Sequence, residues 1–356
     1  MNPAKVVQVE KRAGFVYLVF QLLNLQAHQP MSKVKKDNHS SDKPKEKYQV
    51  LNWSDYNKAL VSRGDITIYF NDEVTDKWYS DLPYQRGAQP VYSDLCIETL
   101  LTFKVVFKLA YRQTQGFAQS LLKLMDLGDL NVPSYSQICR RSVALNVNPY
   151  HIPKSGPIVI AVDSTGLKIY GEGEWKVRKH GYSKRRTWRK LHLGVDPKTG
   201  FIHCHTLTLN NVDDGSQLDE LLDQVETEVT DVCLDGAYDH VDCWDGLIER
   251  NMNPIIPPRD NAVVWYLEEP DDIPDYPRNV AVNRIDEIGK KEWKVETGYH
   301  RRSLSETAMF RYKTIHGNKL YSRKFTSQKT ENDIKIKVLN IMTAQGMPVA
   351  KPRKVA

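Results

Sequence analysis

Apolar residues recur every three to four positions between residues 93 and 145, then change to alternation and short runs after residue 156. The first regime predicts helices. Ser93 can cap a helix reaching about Leu109, with Leu100, Phe103 and Phe107 on one face. Thr114 is the expected cap of a second helix carrying Phe117, Leu121, Leu124 and Met125 and ending at Leu127-Gly128. Ser134 and Gln137 have capping-box spacing for a third. The second regime predicts strands at 157–163, 187–196 and 201–210, with a turn at 197–200. An amphipathic helix on Leu218, Leu221, Leu222 and Val225 follows, then a strand at 229–235, a helix at 240–250 and a strand at 253–256. The order β-β-β-α-β-α-β-α makes the second half an α/β unit.

Composition adds boundaries. The 356 residues suffice for two or three domains, and 40% hydrophobic content supports a sizeable core. Residues 32–47 hold six lysines and little apolar content, so residues 1–50 are expected to form a disordered basic arm. Within that arm, 14–25 is apolar but too short to span a bilayer, and no A-x-A-like cleavage site follows it. Met31 is the expected working start. The expected division is then a helical domain at 51–150, a catalytic domain at 151–348 and a basic tail at 349–356. Five dispersed cysteines without a C-x2-C pair suggest free thiols in a reducing compartment. They also argue against a zinc site. A net charge of +6 permits a nucleic-acid partner.

Chemistry enters with three acids. Asp163 follows I-V-I-A-V and Asp235 follows V-C-L, so each ends a buried strand. Alone, either could be a turn or cap residue. The third acid, Glu306, belongs to the spacing Tyr299-x2-Arg302-x3-Glu306-x6-Lys313. At about 100° per residue these four side chains fall in one helical stripe roughly 60° wide. A carboxylate between fixed cations suits a place where a metal ion and a phosphate meet, although a solvated, salt-bridged face has the same pattern. Hard divalent cations prefer such oxygen donors. Two ions about 4 Å apart can activate an attacking oxygen and stabilise a leaving one.

Two further regions carry nucleic-acid chemistry. Residues 176–190 contain eight Lys/Arg and no acid, interleaved with His180, Tyr182 and Trp188. Lys184, Arg185, Arg186, Arg189 and Lys190 are therefore candidate DNA contacts. Gln137, Arg140 and Arg141 on the third helix are of the types that reach base edges and phosphates. The second and third helices loosely match a helix-turn-helix, but their connection is longer than usual and a plain bundle fits as well.

From about residue 55 to 348 the chain resembles the insertion-sequence DDE transposases, in particular the insertion sequence five group. The resemblance rests on AVDSTGLKIYGEGEW, SKRRTWRKLHLGVD, VCLDGAYD, PIIPPRDN and GYHRRSLSETAMFRYKTIHG, which contains the Y-x2-R-x3-E-x6-K signature. It implies an RNase H-like mixed sheet with flanking helices, and a catalytic triad at Asp163, Asp235 and Glu306 holding two Mg2+ ions, with Mn2+ as a substitute. It implies a β-rich insertion at about 260–295. It also implies phosphate contacts by Arg302 and Lys313, with Tyr299 supporting the transferred strand. The expected partners are terminal inverted repeats, target DNA and a second copy of the chain in a synapse; no membrane is involved. The expected location is the cytoplasm, at the nucleoid. Rival readings are an RNase H-like nuclease that cuts without joining, and an inactive regulator that only occupies the repeats. Trp265 and Trp293 could stack on a flipped base, with core packing as the alternative.

Overall fold

The computed structural model describes residues 48–83, 86–87, 89–143, 145–154, 156–169, 188–265 and 276–352. The basic arm before residue 48, the loop with Lys184, Arg185 and Arg186, and the acidic stretch 268–275 lie outside the described residues.

The chain opens with β1 (Tyr48–Val50), α1 (Trp53–Ser62) and α2 (Asp72–Asp76). Three helices follow: α3 (Asp94–Val106), α4 (Tyr111–Leu124) and α5 (Tyr135–Arg141). Ser93 caps α3 by accepting from the Cys96 N–H at 3.0 Å. The Ser134–Gln137 capping box forms in both directions, each bond 3.3 Å. Thr114 does not cap α4. That helix begins a turn earlier, where Gln113 accepts from the Ala110 N–H at 2.9 Å, and the Thr114 hydroxyl donates back to the Ala110 carbonyl. Its end is also earlier, with Asp126 taking the left-handed conformation (φ 59°) expected of Gly128. Ile97, Leu100, Phe103, Leu121 and Ile138 form the core of this helical unit.

The α/β half begins with β2 (Ile158–Ile169), β3 (Trp188–Val195) and β4 (Ile202–Leu209). It continues through α6 (Leu218–Leu222), β5 (Val229–Cys233), α7 (Val241–Glu249) and β6 (Asn253–Ile255). The sheet order is β4-β3-β2-β5-β6. β3 and β4 run antiparallel to their neighbours, while β5 and β6 continue parallel from β2. This is the mixed sheet expected of an RNase H-like core.

The stretch expected to be β-rich is helical where described. It folds as α8 (Pro277–Ile288) and α9 (Lys290–Glu296). Pro277 occupies the first helical position, which suits its fixed φ and missing N–H. Ala281, Ile285 and Ile288 then recur at helical spacing against the sheet, a period incompatible with a strand. After a 3-10 turn (Tyr299–Arg302) come α10 (Ser303–His316), β7 (Lys319–Leu320), α11 (Phe325–Ala344) and β8 (Ala350–Pro352).

Both faces of the sheet are covered. Ile160, Val162 and Val232 pack on one side with Leu221, Trp244 and Trp293. Leu167, Leu191 and Leu193 pack on the other with Met309 and Tyr312 of α10 and Ile336 and Leu339 of α11. The opposite face of α11 gives Ile334 and Val338 to the N-terminal helical core. Lys337 of α11 also meets the buried Glu98 of α3. The expected arm and tail boundaries meet in the structure, since β1 pairs antiparallel with β8. Asn52 clamps that junction, donating to Met347 O at 3.0 Å and accepting from Val349 N at 2.8 Å. Among the described residues no helix is long and apolar enough to cross a membrane. All five cysteines are free thiols.

Candidate active site

The sheet brings the first two acids together. β2 and β5 are parallel, with Ala161 opposite Cys233. Asp163 lies two residues beyond Ala161 within β2, and Asp235 two residues past Cys233, where the chain leaves β5, close enough for its charge to act on Asp163. Asp163 stands opposite Leu193, on the face that α10 covers. Its Oδ1 accepts from the Ser164 N–H at 2.8 Å. Its Oδ2 accepts from Arg302 at 2.9 Å and from the buried Ser305 hydroxyl at 3.4 Å. Burial raises the Asp163 pKa and the Asp235 charge adds to the rise, against the Ser164 and Arg302 bonds. Asp235 turns the chain out of the sheet: its Oδ1 accepts from the Ala237 N–H at 2.9 Å and caps the 3-10 turn Gly236–Tyr238.

The third acid arrives on α10. Gly298 (φ 66°) reverses the chain into the 3-10 turn, a conformation that costs a side-chain-bearing residue more. Tyr299 and Arg302 therefore lie on a 3-10 turn, not on the α-helix expected from their spacing. At three residues per turn they still eclipse, and the Arg302 guanidinium lies 5.9 Å from the Tyr299 ring centroid. From there α10 buries Ala308, Met309, Tyr312 and His316 and turns Glu306, Phe310 and Lys313 away from that buried side. Arg302 bridges two acids, donating from Nη1 to Asp163 and from Nη2 to Glu306 Oε1 at 2.7 Å. Lys313 Nζ donates to Thr165 Oγ1 at 2.5 Å, one alternation beyond Asp163 on β2. Arg301 pairs with Asp231 of β5 at 3.2 Å. Adjacent arginines thus grip neighbouring strands.

Asp239, the other acid of the D-G-A-Y-D turn, is a structural residue. Its carboxylate accepts from Arg278 Nε at 2.7 Å, Trp244 Nε1 at 3.1 Å and the Arg259 N–H at 3.2 Å. It caps no helix: the N-cap of α7 is His240, without a side-chain cap bond. Trp265 lies under Arg278, whose guanidinium is 3.7 Å from its ring centroid, and Trp293 is buried in the core.

A family profile described as "Transposase DDE domain" matches residues 154–341, more than half of the chain, from β2 into α11. The chain belongs to the transposase DDE domain family. A second profile of the same description matches residues 61–172. Solved structures with partial likeness include a "Drosophila P element transposase strand transfer complex", 11% identical, TM-score 0.27, covering 53% of this chain and 47% of that one. Another is a "piggyBac transposase synaptic complex with hairpin DNA", 11% identical, TM-score 0.35, covering 80% of this chain and 74% of that one. The chain spans about half the length of the P element transposase chain it matches.

Several candidate DNA contacts of this DDE protein already have partners within the chain. Arg189 donates to Gln328 at 2.9 Å and lies over the Phe325 ring. Lys190 donates to Val212 O and pairs with Asp214, both at 2.9 Å. Arg141 donates to Tyr92 O and Asp94, and Gln137 is taken up in its capping box. Arg140 stands exposed on α5. Sequence reasoning did not single out Ser305, Thr165, Arg301 or Phe310. Phe310 is 68% exposed, one turn beyond Glu306, and its i+4 spacing was the available signal.

The donor set suits a hard cation, being carboxylate oxygens from the middle of β2, from just past the end of β5 and from one helix. A cation already sits between two of them in the form of the Arg302 guanidinium. The Tyr238 hydroxyl adds a donor. It is buried without a hydrogen-bond partner among the described residues, and burial with the Asp214, Asp235 and Asp163 charges raises its pKa. An orphaned donor beside carboxylates fits a hydrated ion. In the arrangement described, no three Asp, Glu, His or Cys side chains among the described residues converge closely enough to hold a metal.

Proposed function

We propose that this chain is a DNA transposase acting through Asp163, Asp235 and Glu306. It would bind the terminal inverted repeats of its own element as a homodimer, cleave each end to free a 3′-OH, and join that 3′-OH to target DNA. The observation that supports this reading is that Arg302 of the turn before α10 joins Asp163 of β2 to Glu306 of α10, while the charge of Asp235, just past parallel β5, also acts on Asp163. The three carboxylates would hold two Mg2+ ions, which when bound supply charge neutralisation at the phosphodiester and a more acidic water or hydroxyl. Arg302 and Lys313 flank the acids and are placed to hold phosphates on either side of the reacting one. Tyr299 supports Arg302 from below, and Phe310 adds an exposed ring to the same helix face. Arg140 is the residue of α5 available to a base edge.

The test supplies purified protein with a duplex carrying the element's inverted repeat and, separately, with a pre-cut 3′-OH end plus a target plasmid. Cleavage and joining are both expected. Cleavage without joining would identify the nuclease instead, and end binding with neither would identify the regulator.

A further inference from the structure

We propose that Arg302 is a built-in cation plug: its guanidinium holds Asp163 and Glu306 in the DNA-free protein, and a phosphate of the bound DNA end draws it off, so that DNA and divalent metal bind cooperatively. The inference rests on the reading that these carboxylates are the metal site. One guanidinium reaches both acids, at 2.9 Å to Asp163 and 2.7 Å to Glu306. Mg2+ takes its oxygens at about 2.0–2.1 Å and in near-octahedral geometry. Carboxylates spread across the two arms of a guanidinium stand too far apart to share such an ion. Two cations also cannot occupy one pair of carboxylates without repulsion. Arg302 and metal therefore compete for the same oxygens.

The grip is built to release. The Glu306 side chain is 60% exposed, so that arm lies in water, whereas the Arg302 side chain is only 19% exposed and is guided along the Tyr299 ring. A phosphodiester offers the planar guanidinium a bidentate acceptor equal to the carboxylates it leaves. DNA binding would then clear Asp163 and Glu306 for metal, and metal would push Arg302 toward the phosphate. Coupling of this kind is reciprocal. Its consequence is a protein that is poorly metallated, and so harmless to phosphodiesters, until it is seated on DNA.

Mn2+ binding to the full chain, read by electron paramagnetic resonance of the free ion, tests this without any turnover. In the absence of DNA, Arg302→Ala and Arg302→Gln should bind Mn2+ about tenfold or more tighter than the wild type. Adding duplex DNA should tighten wild-type binding by a similar factor and leave both variants unchanged. Adding Asp163→Asn to Arg302→Gln should abolish the gain. Circular dichroism confirms folding, and the neutral, polar Gln variant serves if the Ala variant is unstable. Equal Mn2+ affinity in wild type and both variants, with Asp163→Asn still removing binding, would overturn the plug and leave the metal site standing. Mn2+ binding indifferent to Asp163→Asn and Glu306→Gln would overturn the site reading, and the plug with it.

Discussion

Two arginine–aspartate pairs lie near the end of β5, and they behave as different devices. Arg278 and Asp239 have side chains 4% and 2% exposed. Every acceptor there is matched: both oxygens of Asp239 take Arg278, and Trp244 and the Arg259 N–H complete the set. Arg278 spends its third arm on Val263 O at 2.8 Å. Arg302 divides itself between Asp163 and the solvent-facing Glu306. A charge pair that is buried and fully hydrogen-bonded fastens α8 to the turn between β5 and α7. One that is half-wet and shared between two acids can be exchanged for a ligand. The chemical groups are the same, and what differs is water and the number of partners.

The largest expected effect separates the two pairs by function. Asp163→Asn, Asp235→Asn or Glu306→Gln should each lower end cleavage about a thousandfold or more, since an amide is a poor ligand for a hard cation. Thermal unfolding should barely move. Near-normal cleavage by any one of them, measured in Mg2+ and again in Mn2+, would strike that residue from the site.

Asp239→Ala should do the reverse, lowering stability by about 3–5 kcal/mol because Arg278 is left buried and uncompensated. Urea unfolding reads this directly, and an unchanged midpoint would dissolve the contrast. The same pair has a pH signature. Burial pushes the Asp239 carboxyl up, but the bonds from Arg278, Arg259 and Trp244 outweigh it and hold its pKa below 3.8. Its stabilisation is therefore present above that value and is lost as pH falls through the lower folded pKa.

A smaller effect extends the comparison to α5, where Arg141 is tied to Asp94 and Arg140 is exposed. Arg140→Ala should weaken binding to the inverted repeat by about 1–3 kcal/mol more than binding to random DNA. An equal loss on both would make it a phosphate contact. Smallest of all, Arg302→Ala should change unfolding free energy by no more than about 1 kcal/mol. A loss as large as that of Asp239→Ala would make Arg302 a second fastener.

Local features were legible in the sequence, and distant partnerships were not. The Ser134–Gln137 box depends on a few adjacent residues and stands where spacing puts it, whereas Asp163, expected at a strand end, lies inside β2, which runs on to Ile169 by pairing with the distant β3. Asp239 found its partner 39 residues on in Arg278, and nothing near it announced that. Arg189 and Lys190 read as free cations because Gln328 and Asp214 are remote. The stretch expected to be β-rich was assigned through family likeness, while its own helical spacing at Ala281, Ile285 and Ile288 said otherwise. Thr114 looked like a cap because its type favours one, yet Gln113 reached Ala110 first.

The helix α11 belongs to two interiors at once. Ile334 and Val338 face the N-terminal helices, while Ile336 and Leu339 face the sheet, where Asn340 also brackets both backbone atoms of Ile202. A gene fragment starting at residue 151 would leave Ile334 and Val338 bare to water, and one ending at residue 150 would lose the far wall of its own core. Recombination at that linker would therefore yield two sticky halves. The N-terminal helices and the sheet that carries the acids are heritable only as one object.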